Sequence, residues 1–278
     1  MALGPVVIAL PRLFLLLGVI AALLTARLLE RRGGASLERP LWWSLLGGLL
    51  AARLVYVLTH LTDFREQPWQ ALFVWQDGYA PLAGIAAAAT AALWFIYRHS
   101  YRPQRLLAPL LVGLTAWGGL NAVHDALRRA TDKPLPALTV EDLQGVPVTL
   151  DSFRGQPVVL NLWASWCPPC RREMPTLAAA QQSHPAVHFL FVNQAEAPAT
   201  VRQYLSIEQL QLRNVLLDLH GRVGDHFSAP GLPTTLFFDA DGKLAHTHLG
   251  ELSSARLGDY LRALQRRHTM VGRLSRGG

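Results

Sequence analysis

Cys167 and Cys170 are the residues of this 278-residue chain whose type and spacing point most directly to chemistry. They are its two cysteines, set in the segment NLWASWCPPCRREMP (161–175). A thiolate is the nucleophile of thiol–disulfide exchange, and a nearby second thiol can resolve the mixed disulfide that the first one forms. The apolar run VVLNLWA (158–164), then Pro-Pro and a helical pattern, places Cys167 at a strand-to-helix turn. Its sulfur should meet unsatisfied amide N–H groups and the positive end of the helix dipole, which favour thiolate over thiol. Cys167 is therefore the expected attacking sulfur. Cys170, one turn further in and less accessible, is the expected resolving one. Pro168 and Pro169 stiffen the turn and remove N–H donors. Trp163 and Trp166 are expected beside the site.

The cysteine count also excludes. Two cysteines cannot build a disulfide-rich scaffold or a four-cysteine zinc or iron–sulfur site. A zinc site at this pair needs two further ligands, and His246 and His248 lie far along the chain. A purely structural role is weak, because so short a closed loop gains less than the ~3 kcal/mol of a 15-residue one. No metal and no cofactor beyond the redox-active pair is expected.

The elements that must position these residues follow from periodicity. PVTLDSF (147–153) and VVLNLWA (158–164) read as strands, Pro168 to His184 as a helix, and VHFLFVN (187–193) as a buried strand. Ala199 to Leu210 reads as a helix, and TTLFFDADGKLAHTHLG (234–250) as a hairpin turning at Asp241-Gly242. Ser253 to Arg267 reads as a closing helix with Ser253 or Ser254 as N-cap, and Glu173 falls on the expected exposed face of the helix that follows Cys167. This order is that of a thioredoxin-like α/β fold, a central mixed sheet with flanking helices, carrying an extra amino-terminal hairpin.

WASWCPPCRREMP, with GLPTTLFFDADGKL downstream, resembles the TlpA/ResA-like, cytochrome c maturation-type thioredoxins. The resemblance runs from about Pro136 to Arg267. It implies a cis-proline at Pro233 facing the cysteines, with the Leu232 backbone offered to a substrate strand. It also implies substrate contacts from Trp166, Pro168 and Pro169, and a proton-transfer role for Glu196 in VNQAEAP. One departure from cytosolic thioredoxins stands at Asn161. There a buried Asp six residues before the first Cys assists proton exchange; Asn161 cannot titrate, which shifts that role toward Glu196 or water.

The rest of the chain has a different composition. Hydrophobic residues make up 51% of the whole and charged residues 16%, against about 25% charged in ordinary soluble proteins. Four apolar stretches, about 6–29, 41–61, 78–97 and 106–124, are each long enough to span a bilayer. Residues 1–132 carry 12 Arg against 7 acids, so most of the net charge of +7 lies in the apolar half and nucleic-acid binding is not expected. Arg27, Arg31, Arg32 and Arg39 follow the first stretch, and Arg98, Arg102 and Arg105 the third; Arg65 stands against Asp63, Glu66 and Asp77 after the second. By the excess of Arg on cytoplasmic loops, both termini face outward, into a bacterial periplasm. Trp42, Trp43, Trp69, Trp75, Trp94 and Trp117 mostly fall near span ends. Arg53, mid-span, is either paired inside the bundle or functional.

GGLLAARLVYVL, with PWQALFVWQDGYAPLAGI, resembles the amino-terminal part of prolipoprotein diacylglyceryl transferases over roughly residues 10–100. Arg53, Leu54, Tyr56, Trp75, Gly78 and Gly84 fit that pattern. Leu82 stands where the family has its catalytic His. The resemblance implies a shared helical scaffold rather than retained acyl transfer.

The expected organisation is a membrane domain over 1–126, a linker over 127–135, a thioredoxin-like domain over 136–270 and a disordered tail over 271–278. The expected function is a membrane-anchored periplasmic thiol–disulfide oxidoreductase acting on protein disulfides. Because residues 1–132 hold no cysteine, it needs a separate membrane electron donor, of the DsbD or CcdA type. The alternatives are a lipid-modifying acyltransferase-like protein and a non-catalytic adaptor. Redox direction, substrate and donor stay open at this point.

Overall fold

The computed structural model describes residues 2–3, 6–7, 10–31, 36–64, 78–131 and 133–274. The chain divides into two compact units, Ile8–Thr131, and Asp132–Gly278 together with Met1–Val7.

The first unit is helical: α1 (Leu10–Arg31), α2 (Glu38–Thr59), the single turn α3 (Leu61–Phe64), α4 (Pro81–His99) and α5 (Pro103–Thr131). Four of these are long and apolar enough to cross a membrane, over Arg12–Arg31, Glu38–Thr59, Pro81–His99 and Pro103–Leu127. They pair as α1 with α5 and α2 with α4. Small residues let the backbones meet: a Cβ at Gly48 would stand 2.8 Å from the Gly84 carbonyl oxygen, and one at Gly18 2.8 Å from that of Gly113. Such small-residue seams are how helices associate where lipid removes the hydrophobic drive. Leu16, Leu24, Leu50, Leu54 and Leu58 face outward, as lipid-facing side chains do. Arg53 lies inside the second span. Its Nη1 donates to the Gly78 carbonyl at 2.8 Å, and the Phe64 and Tyr79 rings lie 6.0 and 5.7 Å from its Cζ. Leu82 is 81% exposed. Arg32, Arg65, Glu66, Trp69, Trp75 and Asp77 lie outside the described residues.

Near the amino terminus, β1 (Ala2–Leu3) pairs antiparallel with β2 (Val6–Val7). The main sheet has seven strands: β3 (Thr139–Asp142), β4 (Pro147–Thr149), β5 (Val158–Trp163), β6 (His188–Gln194), β7 (Val215–Asp218), β8 (Thr234–Phe238) and β9 (Leu244–Leu249), in the order β4-β3-β7-β6-β5-β8-β9. β5, β6 and β7 are parallel; β8 joins β5 antiparallel, and β9 joins β8. The helices are α6 (Pro168–Ser183), α7 (Pro198–Ile207), α8 (Arg222–His226) and α9 (Ser254–Leu274). β5 is buried along its whole length, which explains its unbroken apolar run. Its side chains alternate between two cores. Val159 and Trp163 join Met174, Leu177, Phe237 and Leu261 on one face, and Val158, Leu160 and Leu162 join Leu190, Leu236 and Phe238 on the other.

Three expectations are corrected. Only Pro147–Thr149 of the 147–153 segment is strand; Leu150–Phe153 is a 3-10 turn, in which the Ser152 hydroxyl donates to the Thr149 carbonyl. Val215–Asp218 forms β7 and Arg222–His226 forms α8, neither of which the periodicity shows. α9 runs on to Leu274, past Arg267 and into the segment expected to be disordered; residues 275–278 lie outside the described ones.

Candidate active site

Cys167 is the N-cap of α6. Its backbone is extended, and its Sγ accepts the Cys170 N–H at 3.3 Å, a sulfur in place of the usual capping oxygen. Pro168 and Pro169 fill the first helical positions, where a missing N–H leaves no helical bond unmade. Cys167 and Cys170 are joined as a disulfide with Cα atoms 5.3 Å apart. Cys170 is fully buried and Cys167 3% exposed. Trp166 beside them is 68% exposed, whereas Trp163 is buried with its ring 5.4 Å from that of Tyr204.

β8 begins where β5 ends: Thr234 is the register partner of Leu162. The preceding residues Leu232 and Pro233 therefore stand at the end of β5 that leads into Cys167. Their peptide bond is cis. Leu232 packs against the apolar cluster that contains both cysteines.

Glu196, just beyond β6, reaches the loop between β5 and α6. Its carboxylate accepts the Ser165 N–H at 2.7 Å, the Asn193 side-chain amide at 2.7 Å and the Ser165 hydroxyl. The resemblance points to Glu196 but not to these donors. Asn193 is fully buried in β6, and a polar residue in so apolar a strand is the readable sign of a partner.

Glu173 is the main correction. It is 1% exposed, not on the open face of α6. Its position three residues after Cys170 and four before Leu177 puts it on the helix's buried stripe. Its carboxyl accepts from the Leu252 N–H and from the Asn161 amide, each at 2.8 Å, and the same amide donates to the Thr235 hydroxyl at 3.0 Å. Burial strips water from the carboxylate and pushes its pKa up to about 8, and the Glu251 carboxylate adds to the rise. The two N–H donors and Arg172 only partly oppose it. Burial thus favours the protonated form of Glu173. A titratable group stands beside Asn161 after all, carried by α6 on the same face of the sheet.

Among the described residues, no three His, Cys, Asp or Glu side chains gather where one metal ion could be held.

Residues 130–264 match the Redoxin family model, and residues 1–120 match the model for prolipoprotein diacylglyceryl transferase. The chain is similar to thiol-disulfide oxidoreductase ResA of Bacillus cereus, 28% identical over 155 residues, which are 55% of this chain and 88% of that protein. It is also similar to ResA of Bacillus subtilis, 27% identical over 157 residues, covering 55% and 86%. A secreted Mycobacterium tuberculosis disulfide oxidoreductase, described as homologous to DsbE of E. coli, aligns over 46% of this chain and 96% of its own, with 28% identity and a TM-score of 0.42. The carboxy-terminal unit of this chain thus carries a match to the Redoxin family, joined to an amino-terminal helical part that matches the prolipoprotein diacylglyceryl transferase family model.

Proposed function

We propose that this protein is a membrane-anchored thiol–disulfide oxidoreductase whose Redoxin domain reduces disulfide bonds of exported proteins in the periplasm. The observation that carries this reading is the Cys167–Cys170 disulfide at the start of α6, with the Cys167 sulfur capping the helix. In the reduced form, the unsatisfied N–H groups and dipole of the helix start favour the Cys167 thiolate. That thiolate attacks one sulfur of the substrate disulfide, forms a mixed disulfide and releases the other sulfur as a thiolate, which takes up a proton. Cys170 then loses its proton and attacks the Cys167 sulfur. The second substrate thiol leaves and the Cys167–Cys170 bond is remade. Two electrons pass from enzyme to substrate, with one proton from Cys170 and one from solvent.

Leu232 and Pro233 offer a backbone edge at the end of β5, along which a substrate segment pairs as an added strand. Trp166, Pro168 and Pro169 present the exposed surface around Cys167. Glu196 holds the loop that carries Ser165 and Trp166, and moves a proton during resolution. Glu173, protonated beneath the helix, is a second proton-holding group.

The loop charges of the helical part support termini on the outward side of the membrane. With both cysteines of the sequence in the Redoxin domain, the electrons that return it to the dithiol come from a separate membrane protein of the DsbD or CcdA type. The reading is tested by expressing the Cys170→Ser variant in cells and isolating it under non-reducing conditions. An exported protein should be held on Cys167 through a bond that dithiothreitol releases. Absence of any adduct, or an adduct that survives in Cys167→Ser, overturns it.

A further inference from the structure

The loop between β9 and α9, residues 250–253, is bonded at consecutive positions to two parts of the site. The Gly250 N–H donates to the Pro233 carbonyl at 2.9 Å. The Glu251 side chain, 9% exposed, accepts from Arg172 Nε at 2.7 Å, and Nη2 of the same guanidinium lies 2.6 Å from that oxygen as an ion pair. The Leu252 N–H donates to Glu173. His248 Nε2 lies 3.3 Å from the Glu251 carbonyl, and Ser253 begins the cap of α9 with its hydroxyl 3.4 Å from the Arg256 nitrogen. Gly250 has φ +95°, a left-handed conformation that a side chain would strain. Four residues thus span from the cis-proline edge to the second turn of the helix that bears the cysteines.

We propose that this loop is a tether that fixes the gap between the substrate-pairing edge at Leu232–Pro233 and Cys167, and that Glu251, clamped by Arg172, is its positioning residue. The proposal rests on the thiol–disulfide reading above. The physical reason is that the β5–β8 pairing brings the edge beside the end of β5 but does not fix how α6 leans against that edge. Pro233 is carried by β8, whereas Cys167 is carried by α6, and the tether is bonded to both. A charge-assisted Arg–carboxylate hydrogen bond is shorter and stronger than a neutral one, so it holds the loop firmly against α6. A substrate that pairs along the edge must meet Cys167 at a set spacing. A small disulfide that pairs with nothing needs no such spacing.

The test uses the full chain in detergent, fully reduced and freed of reductant, in single-turnover oxidation. One oxidant is a disulfide-bonded peptide of about ten residues, long enough to lie along the edge; the other is hydroxyethyl disulfide. Glu251→Ala and Arg172→Ala should each lower the ratio of the peptide to the small-disulfide rate constant about tenfold, the scale of one or two lost charge-assisted contacts. The exchanged pair Arg172→Glu with Glu251→Arg should return the ratio to within about threefold of wild type. Arg172 is half-exposed on α6, so its variant keeps the test informative should Glu251→Ala fail to fold. If both rate constants fall in step, or neither falls, or the exchanged pair restores nothing, the tether is refuted while the oxidoreductase reading stands. A wild-type protein that reduces neither compound refutes that reading, and the tether with it.

Discussion

Replacing Glu173 by Gln is expected to remove a pH-dependent loss of stability. The carboxyl has a pKa of about 8 in the folded domain, against an ordinary value of 4.5. Between those values the folded protein binds a proton that the unfolded chain has released. The stability this group contributes is therefore full below pH 4.5 and declines as pH rises toward 8. The limiting slope for one proton is about 1.4 kcal/mol per pH unit, so the decline over the window is on the order of several kcal/mol. His188 and His226 act the other way. Burial lowers both, and the positive charges of Arg213 and Lys133 add to it, so ionisation of these histidines in the unfolded chain makes stability rise with pH up to about their ordinary value. The informative quantity is thus the difference between wild type and Glu173→Gln, in which the histidines cancel. The Gln carbonyl can accept the Leu252 N–H, and its amide can donate to the Asn161 carbonyl oxygen, which has no partner among the described residues. The assay is pulse proteolysis of the oxidised full-length protein in urea at pH 5, 6.5 and 8.5, following fragments of the Redoxin domain. The variant's urea midpoint should gain on the wild type's steadily from pH 5 to 8.5. A difference that is constant with pH, or that shrinks as pH rises, would refute the assignment of a buried, protonated carboxyl.

Three other outcomes are expected. Glu196→Ala removes the acceptor of three donors and should destabilise the carboxy-terminal unit by about 2 kcal/mol, since the buried Asn193 amide left unpaired costs on that scale while the half-buried Ser165 donors can turn to water. Glu196→Gln keeps one acceptor oxygen, so a loss of exchange rate with little change in urea midpoint would isolate proton transfer from loop support. Gly48→Leu drives a side chain into the Gly84 carbonyl and should weaken the α2–α4 seam by about 1–3 kcal/mol, read as a lower melting temperature of the helical part in detergent. In cells lacking the membrane electron donor, alkylation and gel shift should find the wild-type cysteines oxidised; a cysteine pair that stays reduced there would count against a separate donor.

Much of the site is legible in the sequence, because its signals are local. A Cys-Pro-Pro-Cys segment between a buried strand and a helix start sets the pairing of the two sulfurs and the capping geometry together. Glu173 misleads for a physical reason. A charged residue beside Arg171 and Arg172 reads as exposed, and only its phase with Cys170, Met174 and Leu177 marks it as buried. The Asn161 amide that donates to it sits in an otherwise apolar strand, so two polar residues on buried faces are each other's explanation. β7 escapes the periodicity because four residues, Val215–Asp218, carry no period long enough to separate strand from loop. The tether through Glu251 is not legible in the sequence at all. Its Arg172 partner lies 79 residues away on α6, and only the folded sheet brings the two together.

The central claim is exchange at Cys167 and Cys170. The most direct measurement mixes the fully reduced full-length protein with an equimolar disulfide-bonded peptide, quenches with acid and determines both intact masses over time. The peptide should gain two hydrogens as the protein loses two, Cys170→Ser should instead accumulate a protein–peptide adduct, and Cys167→Ser should do neither. Peptide reduction no faster than in protein-free buffer, or equal reduction by Cys167→Ser, would contradict the claim.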